Sequence, residues 1–139
     1  MITVVDVETS WQVTDTGGYD PSPYHPDNIL VSVGINDEYY FTNHSERIDK
    51  GCYHKIQSIL DKTTLLVGHN IKFDLMWLLE AGFKYTGRVY DTMLGEYILN
   101  RGIRKSLTLE MSCRRRRIGS KDNRIKEFTD IGIPFQNIP

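Results

Sequence analysis

The chain has 139 residues, of which 40% are hydrophobic and 25% charged, and its formal net charge is −1. These proportions are those of one ordinary soluble domain, and they exclude a wholly disordered chain, a collagen-like repeat and a disulfide scaffold. No apolar run reaches the roughly 18–20 residues of a membrane-spanning helix. The first residues lack the pattern of a signal peptide, and the two cysteines fit no metal-ligand spacing. We therefore expect a cytoplasmic protein with reduced thiols.

The charge is unevenly distributed along the chain. Residues 1–100 carry 7 Lys and Arg against 14 Asp and Glu, a balance of −7, whereas residues 101–139 carry 10 against 4, a balance of +6. An acidic body with a basic end suits a metal-using enzyme that acts on a polyanion. Two solvated faces without a shared function would give the same pattern.

The first half of the chain predicts strands before helices. Residues 2–7 form a β-branched run typical of a buried strand, and residues 11–28, with several glycines and prolines, predict a long loop. Residues 29–35 and 39–41 predict two more strands that form a hairpin. Ser45 is predicted to cap the first helix, whose apolar face would hold Ile48, Cys52, Ile56, Ile59 and Leu60.

The second half predicts alternating strands and helices. A strand over residues 65–67 precedes a helix over 70–82, and a strand over 88–90 precedes a helix that Asp91 caps and that ends near Asn100. Ser106 is predicted to cap a further helix that runs into a tetra-arginine. Residues 121–128 are predicted to form a last helix, and residues 131–139 an extended segment. A hairpin followed by this alternation predicts an α/β fold, a mixed sheet with helices packed on it.

Two carboxylates are predicted to share one face of the first strand. Asp6 and Glu8 are two residues apart, so both side chains point the same way, about 6.6 Å apart along the backbone. Two like charges on a mostly apolar strand favour a compensating divalent cation such as Mg²⁺ or Mn²⁺. The alternative is that the strand ends at Val7 and both acids are solvated.

A third carboxylate, Asp74, falls in the first turn of the helix that follows Gly68-His69-Asn70. Neighbouring elements of one sheet could bring it to Asp6 and Glu8. The alternative is that Asp74 only complements the helix dipole and that Asn70 is only a cap.

Together these motifs resemble those of a known family. Asp6-Val7-Glu8-Thr9 is similar to the first motif of DEDD-type 3′–5′ exonucleases, and Gly68–Asp74 to their second. Tyr90–Leu94 resembles the helix start that follows, and Ser106–Arg115 a stretch in the proofreading domains of family A DNA polymerases, those of bacteriophages especially.

The resemblance implies a ribonuclease H-like fold in which Asp6, Glu8 and Asp74 are catalytic metal ligands. It implies two Mg²⁺ or Mn²⁺ ions in the complete site and two-metal hydrolysis of a phosphodiester. Thr9 and Asn70 would hold the 3′-terminal nucleotide. Phe73 would pack against its sugar or base, or equally serve as a core residue.

Two further features have a structural interpretation beside the functional one. Asp91 matches the family's pattern, but helix capping explains it, and we favour that role. The run Arg114–Arg117, with Lys121, Arg124 and Lys126, could follow phosphates along a strand, although a solvated basic turn is the simpler interpretation.

The family's third motif, Tyr-x-x-x-Asp or His-x-x-x-x-Asp, is not found in this sequence. Asp122 and Asp130 lack its context. We therefore expect residues 1–139 to be a single exonuclease domain that is incomplete at its C-terminal end, weak or inactive alone, with exposed apolar surface. A polymerase domain or a separate chain would supply the fourth carboxylate.

The function predicted is a proofreading exonuclease that removes nucleoside monophosphates from single-stranded DNA 3′ ends, with no membrane partner. If a phage encodes the protein, it acts in the cytoplasm of the bacterial host. Two alternatives remain, an RNA-trimming exonuclease of the ribonuclease D type and a non-catalytic nucleic-acid-binding remnant of the fold.

Overall fold

A computed structural model describes residues 1–119 and 124–138, which form a five-stranded sheet, a two-stranded ribbon and five helices. The strands are β1 (Ile2–Thr9), β2 (Gln12–Val13), β3 (Tyr19–Asp20), β4 (Leu30–Ile35), β5 (Glu38–Phe41), β6 (Leu65–Gly68) and β7 (Arg88–Asp91). The helices are α1 (Cys52–Lys62), α2 (Ile71–Glu80), α3 (Thr92–Leu99), α4 (Leu109–Arg116) and α5 (Arg124–Asp130), followed by a 3₁₀ turn, Phe135–Asn137. None of these helices is long and apolar enough to cross a membrane.

The five-stranded sheet has the order β5-β4-β1-β6-β7. Strands β5, β4 and β1 pair antiparallel, whereas β1, β6 and β7 are parallel. The hairpin builds the antiparallel half and the strand–helix alternation builds the parallel half. This arrangement confirms the mixed α/β sheet with an N-terminal hairpin that the sequence predicts.

One face of the sheet carries the core. Alternate residues of β1 (Thr3, Val5, Val7 and Thr9) are buried on it, and helices α1 and α2 contribute Ile56, Leu60, Trp77 and Leu78 to the same cluster. We call this the helix face, because burying it against α1 and α2 is the main stabilising contact of the domain.

The opposite face, here the open face, is covered only in part. Register places Ile2, Val4, Asp6 and Glu8 of β1 on it, beside Tyr39 and Phe41 of β5. The C-terminal segment lies over the Glu8 end, where Ser45 N–H donates to the Gln136 carbonyl oxygen at 2.9 Å. At the other end Ile2 and Val4 are 65% and 49% exposed. The expected exposed apolar surface is therefore present on the sheet.

Two of the predicted helix starts are wrong. The first helix begins at Cys52 rather than near Ser45, because Asp49 exchanges hydrogen bonds with the main chain of Phe41 and holds the preceding residues along the edge of β5. Helix α4 is capped by Thr108, whose hydroxyl accepts from Met111 N–H, and not by Ser106.

Three smaller differences concern the loops and the C-terminal segment. The long loop contains the short ribbon of β2 and β3. The last helix runs over Arg124–Asp130, so that residues 121–123 of the predicted helix lie outside the described residues. The segment predicted to be extended includes the turn Phe135–Asn137.

Candidate active site

Three acidic residues converge where the parallel strands end. Asp91 closes β7 directly opposite Gly68, the last residue of β6, and Asp6 lies two residues past Val4, which pairs with Val67. Asp74 comes from the first turn of α2, the helix that follows β6. The carboxyl ends of parallel strands are where α/β sheets bind ligands, and we call this region the acid edge.

Gly68 brings helix α2 close to the acid edge. A Cβ at this position would lie 3.0 Å from the Ile71 side chain and 3.2 Å from the Val5 carbonyl oxygen. Neither neighbour can retreat easily, because the first belongs to the start of α2 and the second to the main chain of β1. A glycine is therefore required for α2 to begin against β1, and this contact delivers Asp74 to the strand.

Asp74 is a buried carboxylate with a main-chain partner. Its side chain is 3% exposed, and its Oδ1 accepts the Val7 N–H at 2.9 Å. Pairing between β1 and β6 ends at Val4, so this N–H has no partner in β6 and would otherwise be buried without one. The hydrogen bond fixes the carboxylate against β1.

The charge of Asp74 is poorly compensated by the protein. Burial, together with the negative charges of Asp6 and Asp91, raises the pKa of Asp74 from its ordinary value of 3.8 to about 7, despite the opposing effect of the Val7 N–H. The acids are therefore close enough to repel one another, and a cation at the acid edge would relieve that repulsion.

Asp91 caps helix α3, as the sequence predicts. Its Oδ1 accepts from Met93 N–H at 2.9 Å and from Leu94 N–H at 3.4 Å. The same oxygen accepts the Asn70 N–H at 3.0 Å, so that Asp91 also joins the starts of α2 and α3. The capping role is therefore confirmed. The negative charge of Asp91 also helps to raise the pKa of Asp74.

Asp6 and Glu8 lie on the open face, as the alternation of β1 predicts. Strand β1 continues to Thr9, which removes the alternative in which it ends at Val7. Asp6 is exposed, and Glu8 is partly buried beside a cavity of about 170 Å³ beneath the C-terminal segment. The two carboxylates therefore share a face, and only Asp6 is shown to act on Asp74.

The three residues predicted to contact the nucleotide lie in different environments. Thr9 is buried on the helix face, away from Asp6 and Glu8. Asn70 is exposed at the acid edge with φ 61°, but its side chain makes no capping hydrogen bond. Phe73 is partly buried against the core cluster. Asn70 is thus the one of the three whose side chain faces solvent beside the acids.

The donor chemistry at the acid edge suits a hard divalent cation, but the spacing does not complete a site. Carboxylate oxygens are the ligands that Mg²⁺ and Mn²⁺ prefer. Within residues 1–119 and 124–138, however, no three His, Cys, Asp or Glu side chains form a group that could hold a metal ion. Two properties of the acid edge therefore favour such an ion: its ligands are carboxylates, and burial and neighbouring acids raise the pKa of Asp74.

His69 is a residue of this region that sequence reasoning missed. Its Nε2 lies 2.7 Å from the Leu107 carbonyl oxygen and its Nδ1 lies 2.9 Å from Thr92 Oγ1. A carbonyl oxygen only accepts, so Nε2 carries a proton and donates it, and Nδ1 can accept from the threonine hydroxyl. His69 thereby links the end of β6 to the starts of both α3 and α4. Only its place inside the Gly68–Asp74 motif could have indicated it.

The tetra-arginine is largely engaged within the protein. Arg116 Nε and Arg115 Nη2 lie 2.7 Å and 3.2 Å from the buried carboxylate of Glu96 on α3, and Arg114 pairs with Glu110 at 2.7 Å. Three of the four arginines therefore meet acids, but Arg114 and Arg117 remain exposed, so the two arginines that pair with Glu96 are the ones that depart from a solvated basic turn. Lys121, which the sequence groups with them, lies outside the described residues.

Comparison with known families identifies the class of protein to which the chain belongs, that of the 3′–5′ exonucleases. The family model described as 3′–5′ exonuclease, that of the DNA polymerase A type, matches residues 14–110, which are 97 of the 139 residues. The chain belongs to this family, and the resemblance read from its motifs is confirmed. The match includes Asp74 and Asp91 but begins after β1, which carries Asp6 and Glu8. No curated protein matches the chain.

Proposed function

We propose that the protein removes nucleoside monophosphates from single-stranded DNA 3′ ends, as the proofreading exonuclease of a DNA polymerase. The observation that carries the proposal is the convergence of acidic side chains around the buried carboxylate of Asp74, whose pKa burial and these acids raise, in a chain of this family. Divalent cations, on which this family typically depends, would offset the repulsion between these acids and a polyanionic substrate.

Asp6, Glu8 and Asp74 are the residues we assign to Mg²⁺ or Mn²⁺. Two ions in the complete site would make water nucleophilic and offset the charge that develops on the phosphate. A polymerase domain or a separate chain would supply the fourth carboxylate of the family's third motif. The described residues alone form no three-ligand group, so the assignment requires the ions to draw Asp6, Glu8 and Asp74 together.

The chain's own residues orient these ligands and the substrate. The Val7 N–H holds Asp74 against β1, and the Asp91 carboxylate holds the main chain of Asn70 at the start of α2. We assign Asn70 to the 3′-terminal nucleotide through its exposed side chain and Phe73 to packing against the sugar or base. Because the Thr9 side chain is buried on the helix face, we assign Thr9 to the same nucleotide through its main chain. Stacking on Phe73 would be insensitive to base identity, as a proofreading enzyme requires.

A second candidate is a nucleic-acid-binding remnant that no longer hydrolyses. The absence of a three-ligand group among the described residues favours it. The presence of Asp6, Glu8 and Asp74 together, with Asp74 buried and held by Val7, favours the nuclease.

The test is degradation of a 5′-labelled single-stranded DNA in Mg²⁺ or Mn²⁺. Wild-type protein is compared with Asp6→Ala and with Asp15→Ala, a control that removes an exposed acid outside the site. Stepwise 3′ shortening that Asp6→Ala abolishes and Asp15→Ala preserves supports the nuclease. No shortening, combined with Mn²⁺ binding that depends on Asp6, indicates an intact ligand set that needs the fourth carboxylate. If the protein neither shortens the DNA nor binds Mn²⁺, it is the non-catalytic remnant. Faster trimming of an RNA of the same sequence would point to the ribonuclease D type.

A further inference from the structure

The basic end of the chain divides into cations that are paired and cations that are not. Arg114, Arg115 and Arg116 each meet a carboxylate within 4 Å. Arg101, Arg104 and Lys105, in the connection between α3 and α4, are exposed, and no carboxylate of the described residues pairs with them. Arg117 and Lys126 are likewise exposed without such a partner. Of these unpaired cations, those of residues 100–108 lie in a segment that hydrogen-bonds to His69, and we call this segment the basic connection.

The basic connection is attached to the acid edge. The Leu107 carbonyl oxygen accepts from His69 Nε2 at 2.7 Å, and His69 follows Gly68, the residue opposite Asp91. Lys105 and Arg104 precede Leu107 by two and three residues, so the main chain places them within about 10 Å of that hydrogen bond. At its other end the connection leaves α3, whose start also contacts His69 through Thr92.

We propose that the basic connection binds the phosphates of a single strand whose 3′ end lies at the acid edge, and that His69 is the positioning residue for this surface. The proposal rests on the proposed function for the place of the 3′ end. Residues 1–100 have a balance of −7, so the phosphates behind the scissile bond meet a repulsive surface unless cations lie along their path. Arg104 and Lys105 supply such cations on a segment that His69 fixes to the end of β6.

The first experiment measures binding by its salt dependence in EDTA, where hydrolysis does not occur. The probe is a 5′-fluorescein-labelled single-stranded oligothymidylate, followed by anisotropy. For the pair Arg104→Gln and Lys105→Gln, we expect the slope of log K against log salt to fall by about 1.4, at about 0.7 for each phosphate that the protein no longer neutralises. The matched control, Lys55→Gln with Lys62→Gln, removes the same charge from exposed positions of α1, which packs on the helix face, and is expected to leave the slope unchanged.

The second experiment tests His69 with a double-mutant cycle. His69→Ala should weaken binding in the wild-type chain but not in the Arg104→Gln, Lys105→Gln background, because the contact acts only through those cations. His69→Gln should restore binding, since its amide N–H can donate to the Leu107 carbonyl oxygen. Equal decreases of the slope in the test and control pairs, or additive effects of His69→Ala, would overturn the proposal.

The outcomes separate this proposal from the proposed function. If oligothymidylate binds through Arg104 and Lys105 but the protein neither shortens DNA nor binds Mn²⁺, the surface stands and the nuclease does not. If shortening occurs while the two charge pairs affect binding equally, the nuclease stands and the surface does not.

Discussion

Two buried carboxylates of this protein, Asp74 and Glu96, have similar exposure and opposite electrostatics. Asp74 is 3% exposed and has neighbouring acids, which together with burial raise its pKa to about 7. Glu96 is 8% exposed, and hydrogen bonds from Arg116 and Arg115 hold its pKa below its ordinary value. The protein offsets the charge of Glu96 with its own arginines and places further acids beside Asp74. Under the proposed function, this difference separates a carboxylate that stabilises the fold from one that binds a cation.

Replacing Asp74 tests this difference most strongly. Asp74→Asn keeps an oxygen for the Val7 N–H but removes a carboxylate that we propose binds the metal ion, and we expect exonuclease activity to fall at least about a hundredfold. Single-turnover 3′ trimming in Mn²⁺ measures the effect. If the chain alone is inactive, the assay is run on the complex that contains the fourth carboxylate. Trimming at the wild-type rate by Asp74→Asn would remove Asp74 from the metal site.

The stability of the metal-free protein should depend on pH through Asp74. Its carboxyl holds a proton more tightly in the folded chain than in the unfolded one, so its contribution is greatest below pH 3.8 and is lost as pH rises to about 7. Between these values we expect the wild type to lose up to about 4 kcal/mol of unfolding free energy relative to Asp74→Asn. Urea unfolding of both proteins across this range measures the difference.

Adding Mn²⁺ above pH 7 provides the control for that titration. A divalent cation bound by the ionised acids should restore stability to the wild type and not to Asp74→Asn. If the difference in unfolding free energy between the two proteins is the same at every pH, the claim that ionised Asp74 destabilises the folded protein is wrong.

Replacing Glu96 should have the opposite consequence. Glu96→Gln leaves the partly buried Arg115 and Arg116 without their anion, so we expect a melting temperature lower by several degrees. Unlike Asp74→Asn, this substitution should not make the protein more stable than the wild type at neutral pH. Thermal unfolding with Glu110→Gln as the comparison measures it, since the Glu110–Arg114 pair is more exposed and should contribute little. Equal effects of the two substitutions would show that burial does not distinguish these ion pairs.

The smallest expected effect concerns the cap of α4, the helix that brings the arginines to Glu96. Thr108→Ala removes the hydroxyl that accepts the Met111 N–H and should destabilise the protein by about 1 kcal/mol. Ser106→Ala removes the neighbouring hydroxyl and should change stability by much less. Urea unfolding of the two variants distinguishes them, and the reverse order would place the cap at Ser106.

Local pattern accounts for much of the fold and for the type of the candidate ligands. The alternation of β1 places Asp6 and Glu8 on one face because strand side chains alternate, and this holds in any context. Asp91 caps its helix because the capping hydrogen bonds join residues only two and three apart. The order of hairpin and strand–helix units determines the mixed sheet, since parallel neighbours require a crossover.

What the sequence could not reveal depends on residues far apart in the chain. The Val7 N–H meets Asp74 only because β6 stops short of it, and the tetra-arginine is engaged by Glu96, some 20 residues earlier. The link from His69 to Leu107 spans 38 residues and uses a main-chain carbonyl oxygen that no side-chain motif reports. Ser45 does not begin a helix, because β5 holds the residues that follow it.

The cover over the Glu8 end of the open face has a consequence for the order of folding. His44 Nε2 lies 2.6 Å from the Ile138 carbonyl oxygen, a contact that closes a loop of 94 residues, whereas the β4–β5 hairpin closes across two. Loop closure loses more chain entropy as the loop grows, so we expect the hairpin to form before this cover. Glu8 would then stay more accessible to water until residues 135–138 have packed over it.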